Sequence, residues 1–148
     1  MKDIYNYLKL SETLSCSGMP TAGQLPSVAE AEVKFVVNLA TTKSEGWNPD
    51  EGKTFQQLGV EYLSIPVDWE HPTRQNLNEF MDAMDAHKDL RVLVHCQANY
   101  RATVFIALYR ILRLGWKKED AFVDVRKIWN PQEYPLWDAF IEGNLPPV

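Results

Sequence analysis

The hydrophobic positions of the chain come in short blocks whose period switches between strand-like and helix-like. Residues 14–17, LSCS, predict a short strand closed by Gly18-Met19-Pro20-Thr21. Thr21 is a capping residue for a short helix over 24–31. Residues 35–39, FVVNL, form a nearly continuous apolar run, the pattern of a strand buried on both faces. The longest polar stretch, 41–52, TTKSEGWNPDEG, reads as one surface loop. A short helix over 53–58 should stop at Gly59, a favourable helix terminator. The next strand is VEYLSIPV, 60–67. Beyond Pro72, Thr73 caps a helix on which Leu77, Phe80, Met81 and Met84 fall on one stripe. LRVLVH, 90–95, is a third strong strand, and 102–114 a helix apolar enough to be largely buried. Two more helices are predicted over 118–129 and 133–142.

This alternation predicts an α/β fold with a central, mostly parallel sheet flanked by helices. In such sheets ligands sit beyond the C-terminal ends of the strands. The loops after Leu39, Val67 and His95 should therefore share one functional edge. A length of 148 residues suits a single domain over 1–148, and no internal repeat, low-complexity tract or long linker interrupts it.

Composition narrows the partners. The formal net charge is −5, which argues against a nucleic-acid-coating protein. No apolar run approaches the ~20 residues needed to span a bilayer, so no membrane partner is expected. The opening MKDIYNYLKLSE has no apolar core of a secretory signal. Two cysteines, Cys16 and Cys96, do not make a disulfide scaffold, and together these features suggest a cytoplasmic setting. His71, His87 and His95 show no paired ligand spacing with the cysteines, so neither metal nor cofactor is expected.

The candidate chemistry lies between the third strong strand and the apolar helix, in His95-Cys96-Gln97-Ala98-Asn99-Tyr100-Arg101-Ala102-Thr103. Backbone N–H groups at a helix start and the helix dipole favour an anion. A cysteine held there loses its proton readily, with pKa values of about 3.5–7.5 in such settings. The Arg101 guanidinium is a planar fork suited to a tetrahedral anion. The loop thus combines an anion cradle with a candidate nucleophile. His95 and Cys96, as neighbours in a strand, should point to opposite faces.

HC…R between a strand and a helix resembles the phosphate-binding loop of cysteine-based protein tyrosine and dual-specificity phosphatases. SGMPTAGQLPSVAEAEVKFVVNLA and YLSIPVDWEHPT resemble more particularly the small bacterial DUF442, or beta-lactamase-hydrolase-like, phosphatase domains. The resemblance covers roughly residues 14 to 115. It implies a dual-specificity-like fold and hydrolysis of a phosphate monoester, from a phosphorylated small molecule or a phosphoprotein. Under it, Cys96 attacks phosphorus and forms a phosphocysteine. Arg101 and the amides of Gln97, Ala98, Asn99, Tyr100 and Ala102 bind the phosphoryl oxygens. Asp68 protonates the leaving oxygen and then activates water. Thr103 steadies the thiolate as it leaves, and His95 orders the loop from behind.

The loop departs from the family pattern in two respects. Four residues, not five, separate Cys96 from Arg101, and the usual loop glycines are missing. Of the residues present, Asn99 is the one suited to a positive φ. The short spacing also resembles the rhodanese sulfurtransferase loop, and a domain that binds phosphorylated or anionic ligands without turnover is a third reading. The IPVDWEHPT segment favours the phosphatase, because sulfur transfer has no use for Asp68. Glu70 is the reserve acid, and His71 is a solvated neighbour. Trp69 either walls the pocket or packs on the core. Asn38 is expected to bond a neighbouring loop, and Cys16 to be a packed thiol. Asp82, Asp85, Asp120 and Asp124 form a solvated acidic face.

Overall fold

The structure, a computed structural model, describes residues 1–147; Val148, the last residue of the expected domain, lies outside them. Five strands form one sheet in the order β1-β2-β5-β3-β4. They are β1 (Leu8–Lys9), β2 (Leu14–Ser17), β3 (Phe35–Asn38), β4 (Glu61–Ser64) and β5 (Val92–His95). All neighbours run parallel except β1, which pairs antiparallel with β2. The helices are α1 (Leu25–Glu30), α2 (Glu51–Gln57), α3 (Arg74–Ala86), α4 (Tyr100–Leu114), α5 (Lys118–Ala121), α6 (Val123–Arg126) and α7 (Pro135–Asn144).

β5 sits in the middle of the sheet with β2 on one side and β3 on the other. Its residues alternate between two cores, as the strand period requires. Val92, Val94 and Cys96 join Phe35, Val37 and Leu39 under α3, α4 and α7. Leu93 and Val36 face the opposite layer, with Leu25 and Val28 of α1 and Phe55 of α2. This alternation places Cys96 on the α4 side.

The expected stripe of α3 is buried in full, and the Thr73 hydroxyl accepts from the Asn76 N–H at 3.0 Å. Gly59 closes α2 region with φ +77. Other boundaries move for tertiary reasons. α4 starts at Tyr100 rather than 102, because Tyr100 stacks on Trp129 at 4.5 Å between ring centroids. α2 starts at Glu51, inside the stretch expected to be surface loop, because the Glu51 side chain turns inward to His95. β4 is shorter than the predicted strand, and the helix over 118–129 divides into α5 and α6 around the buried Phe122. β1 carries no apolar run and was invisible to periodicity. Among the described residues, no helix is long and apolar enough to cross a membrane.

Candidate active site

The three expected loops meet at the C-terminal end of β5. Arg101, in the first turn of α4, is 5% exposed. Its Nη1 donates to the Val67 carbonyl at 2.8 Å and its Nη2 to the Ser44 hydroxyl at 3.4 Å. One guanidinium therefore ties the loop after β4 and the loop after β3 to the helix start. A guanidinium has five N–H donors, so three remain. Cys96 and Arg101 line one cavity of about 390 Å³ together with Gln97, Ala98, Tyr100, Trp69 and Tyr134. Cys96 has no exposed surface, so its sulfur meets only what passes that rim. Another cavity, about 310 Å³, lies among α5, α6 and α7 and has no cysteine in its lining.

The loop backbone supplies the electrostatics. The N–H groups of Tyr100, Arg101 and Ala102 belong to the first turn of α4, which has no intrahelical acceptors for them. Asn99 takes the left-handed conformation, φ +68, that the loop needs in place of a glycine. Its side chain turns away, donating from Nδ2 to the Asn6 carbonyl at 2.9 Å and to Cys16 Sγ at 3.3 Å. Gln97 reaches outward, its Oε1 accepting from the Glu45 N–H at 2.8 Å.

His95 lies behind the loop, wholly buried. Its Nε2 is 2.7 Å from Glu51 Oε2, and its Nδ1 is 3.3 Å from the Cys96 carbonyl. Asn38 donates from Nδ2 to the Tyr62 hydroxyl at 3.0 Å and to Glu51 Oε2 at 3.4 Å. Burial, and then the Glu51 charge, push the Tyr62 phenol up to about 12, so it stays a neutral donor or acceptor. Sequence reasoning missed Glu51. It sits in a polar stretch, and its partner is 44 positions away.

Thr103 departs from its expected role. Its hydroxyl donates within α4 to the carbonyls of Asn99 and Tyr100, and accepts from Trp129 Nε1 at 3.0 Å. A hydroxyl so engaged shapes the helix start; no bond joins it to Cys96. Ala102 is a fully buried core residue. Asp68 forms the local turn that an aspartate after a strand favours, with Oδ1 accepting from the Glu70 N–H at 3.0 Å. Its side chain is half exposed, and His71 Nδ1 stands 3.9 Å from Oδ2. Asp68 lies between Val67, which anchors Arg101, and Trp69, which lines the cavity. Burial pushes the Cys16 thiol up to about 12, which keeps it protonated.

An aromatic wall flanks the cavity. The Trp69 ring lies 5.2 Å from Trp137, 5.6 Å from Tyr134, 5.7 Å from Trp129 and 6.1 Å from Tyr100. Trp137 Nε1 donates to the Trp69 carbonyl at 2.9 Å and holds this loop in place. A signal that could have found the wall is the aromatic density between 129 and 140.

A mostly parallel sheet with a cysteine after its central strand, an arginine at the following helix start and helices on both faces is the arrangement of the cysteine-phosphatase fold. A structure from Shewanella putrefaciens CN-32, a candidate phosphatase of the DUF442 family, is 36% identical to this chain. It superposes with a TM-score of 0.84, over 97% of this chain and 93% of the other. The chain belongs to the DUF442 family. The dual specificity protein phosphatase TpbA of Pseudomonas aeruginosa (strain UCBPP-PA14) is 28% identical over 139 residues, 90% of this chain. The chain spans 59% of the length of that curated relative. The structure of P. aeruginosa TpbA in complex with phosphotyrosine matches with a TM-score of 0.74 at 24% identity, over 93% of this chain and 83% of the other. No family model matches the chain.

Proposed function

We propose that the protein is a cysteine-dependent phosphate-monoester hydrolase of the dual-specificity type. The observation that carries this reading is the shared cavity of Cys96 and Arg101 at the start of α4, with Arg101 fixed by Val67 and Ser44. The Cys96 thiolate attacks phosphorus, the bond to the leaving oxygen breaks, and a phosphocysteine forms. Arg101 and the free amides of the first turn of α4 hold the phosphoryl oxygens, whose charge is spread in the transition state. Asp68 gives a proton to the leaving oxygen. In the second step the Asp68 carboxylate takes a proton from water, whose oxygen attacks phosphorus and returns the thiolate.

The substrate class we assign is an aryl phosphate, free or as phosphotyrosine in a protein. Trp69, Tyr100 and Tyr134 offer flat apolar surface beside the anion site, where an aromatic ring gains stacking contacts. The phosphotyrosine bound to TpbA supports this choice. A reducing, cytoplasmic setting is part of the reading, since Cys96 must remain a thiol and Cys16 is free as well. Sulfur transfer and silent anion binding are not favoured, because the relatives are phosphatases.

The test is hydrolysis of p-nitrophenyl phosphate by the wild type and by Cys96→Ser. Turnover should vanish in the variant while its circular dichroism is unchanged. Full activity in Cys96→Ser removes this mechanism, because a neutral hydroxyl is a far weaker nucleophile.

A further inference from the structure

The active loop is one residue short and carries no glycine, so something outside it must hold its shape. The segment before β1 does this. The Asn6 side chain donates from Nδ2 to the Ala98 carbonyl at 3.0 Å. In return the Asn6 carbonyl accepts from Asn99 Nδ2 at 2.9 Å. The same segment is pinned to the residue after β2, the Gly18 N–H donating to the Tyr5 carbonyl at 2.7 Å. Gly18 admits this approach, because a Cβ there would lie 2.7 Å from the Gln97 carbonyl oxygen and 2.8 Å from the Tyr5 ring. Asn6 and Asn99 both adopt positive φ, +51 and +68. That conformation is uncommon outside glycine and collects at functional sites.

Carbonyl oxygens carry partial negative charge, so an anion loop works only if its carbonyls point out of the ring. Met19 N–H takes the Gln97 carbonyl at 2.9 Å, and Asn6 takes that of Ala98. Neither Met19 nor Asn6 lines the cavity, whereas Gln97 and Ala98 do. Both carbonyls are thus engaged away from the anion. We infer that Asn6 is a positioning residue for the Cys96 loop: its amide strap to Ala98 and Asn99 holds the short loop in its anion-binding shape. The inference deepens the phosphatase reading and rests on it for its kinetic consequences alone.

Two variants separate the strap from the backbone. Asn6→Gly keeps the positive φ and the carbonyl that Asn99 binds, and loses the donor. Asn6→Asp keeps side-chain size and tolerance of the left-handed region, but sets a carboxylate oxygen against the Ala98 carbonyl. A merely steric or conformational role leaves Asp close to wild type. A strap predicts the order Asn, Gly, Asp. For p-nitrophenyl phosphate, KM should rise about 2- to 10-fold in Asn6→Gly, the worth of one hydrogen bond, with kcat changing less. Asn6→Asp should lose more.

The second readout does not need turnover. The pH midpoint of iodoacetamide alkylation at Cys96, located by peptide mass, should rise in the same order, because a loosened loop stabilises the thiolate less. Cys16, buried in β2, is the internal control, because global unfolding would label both. Equal Cys96 midpoints in wild type, Asn6→Gly and Asn6→Asp overturn the strap, whatever the activity. Midpoints in the expected order with no hydrolysis by the wild type overturn the phosphatase reading and leave the strap standing. Wild-type KM values in both variants, or Asn6→Asp matching wild type while Asn6→Gly does not, also overturn it.

Discussion

Arg101 commits two N–H groups to the protein itself, to Val67 and Ser44, and this fixes where its free edge points. A fork held in advance loses less entropy when an anion arrives. Asp68 has no such fixture; its Oδ1 accepts one turn N–H and its side chain is half exposed. The acid role proposed for Asp68 predicts a kcat loss of about 10²–10⁴ in Asp68→Asn, the usual worth of acid–base catalysis. Steady-state rates across aryl phosphates of rising leaving-group pKa should show a loss that grows along the series. A uniform loss would assign Asp68 to the turn alone and move the test to Glu70. At this scale the sequence was readable where chemistry is local. A cysteine at a strand end, an arginine at a helix start and an asparagine fit for positive φ need no distant partner to be recognised. Glu51, Ser44 and Asn6 act through residues 44, 57 and 92 positions away, and nothing beside them in the chain signals it.

Among the elements, α4 carries the site at its start and a charge pair along its length. Arg110 is 5% exposed, and its Nη1 meets Asp124 Oδ2 from α6 at 2.8 Å. Burial pushes the Asp124 carboxyl up, but hydrogen bonds from Lys127 and Arg110 outweigh it and hold it below the usual carboxylate range. A carboxyl depressed in the folded state stabilises above its unfolded pKa of about 3.9, and that contribution fades as pH falls through the folded value. Asp124→Asn should therefore cost about 1–3 kcal/mol at pH 7, because a nearly buried guanidinium loses its counter-charge. Urea melts of both proteins should converge as pH drops below 4; a gap that stays constant with pH would deny the ion pair its role. Asp82 and Asp85 likewise bond Arg113, so part of the expected solvated acidic face is a set of ties between helices. The boundaries that shifted, at Glu51, Tyr100 and Phe122, are those where a side chain found a partner on another element. Strand and helix periods were legible because each reports one local face.

In the whole molecule, one sheet divides two cores, and its central strand delivers His95 to one side and Cys96 to the other. The topology was legible in outline from strand–helix alternation, while strand order and the antiparallel edge β1 depend on pairings that no local pattern encodes. An anion that binds only the folded loop stabilises the whole protein by mass action. Phosphate or orthovanadate at about 100 times its Kd should contribute about 2.7 kcal/mol and raise Tm by roughly 5–10 °C for a domain of this size. Arg101→Ala should lose that shift in differential scanning fluorimetry; an unchanged shift would place the anion elsewhere. In the proposed mechanism phosphorus passes through the Cys96 sulfur. The most direct measurement of this step is an acid quench of the enzyme during turnover of an aryl phosphate, followed by mass analysis of its peptides. The phosphoryl group should be found on the peptide containing Cys96 and be absent in Cys96→Ser. A phosphoryl group on another residue, or turnover surviving in Cys96→Ser, would contradict it.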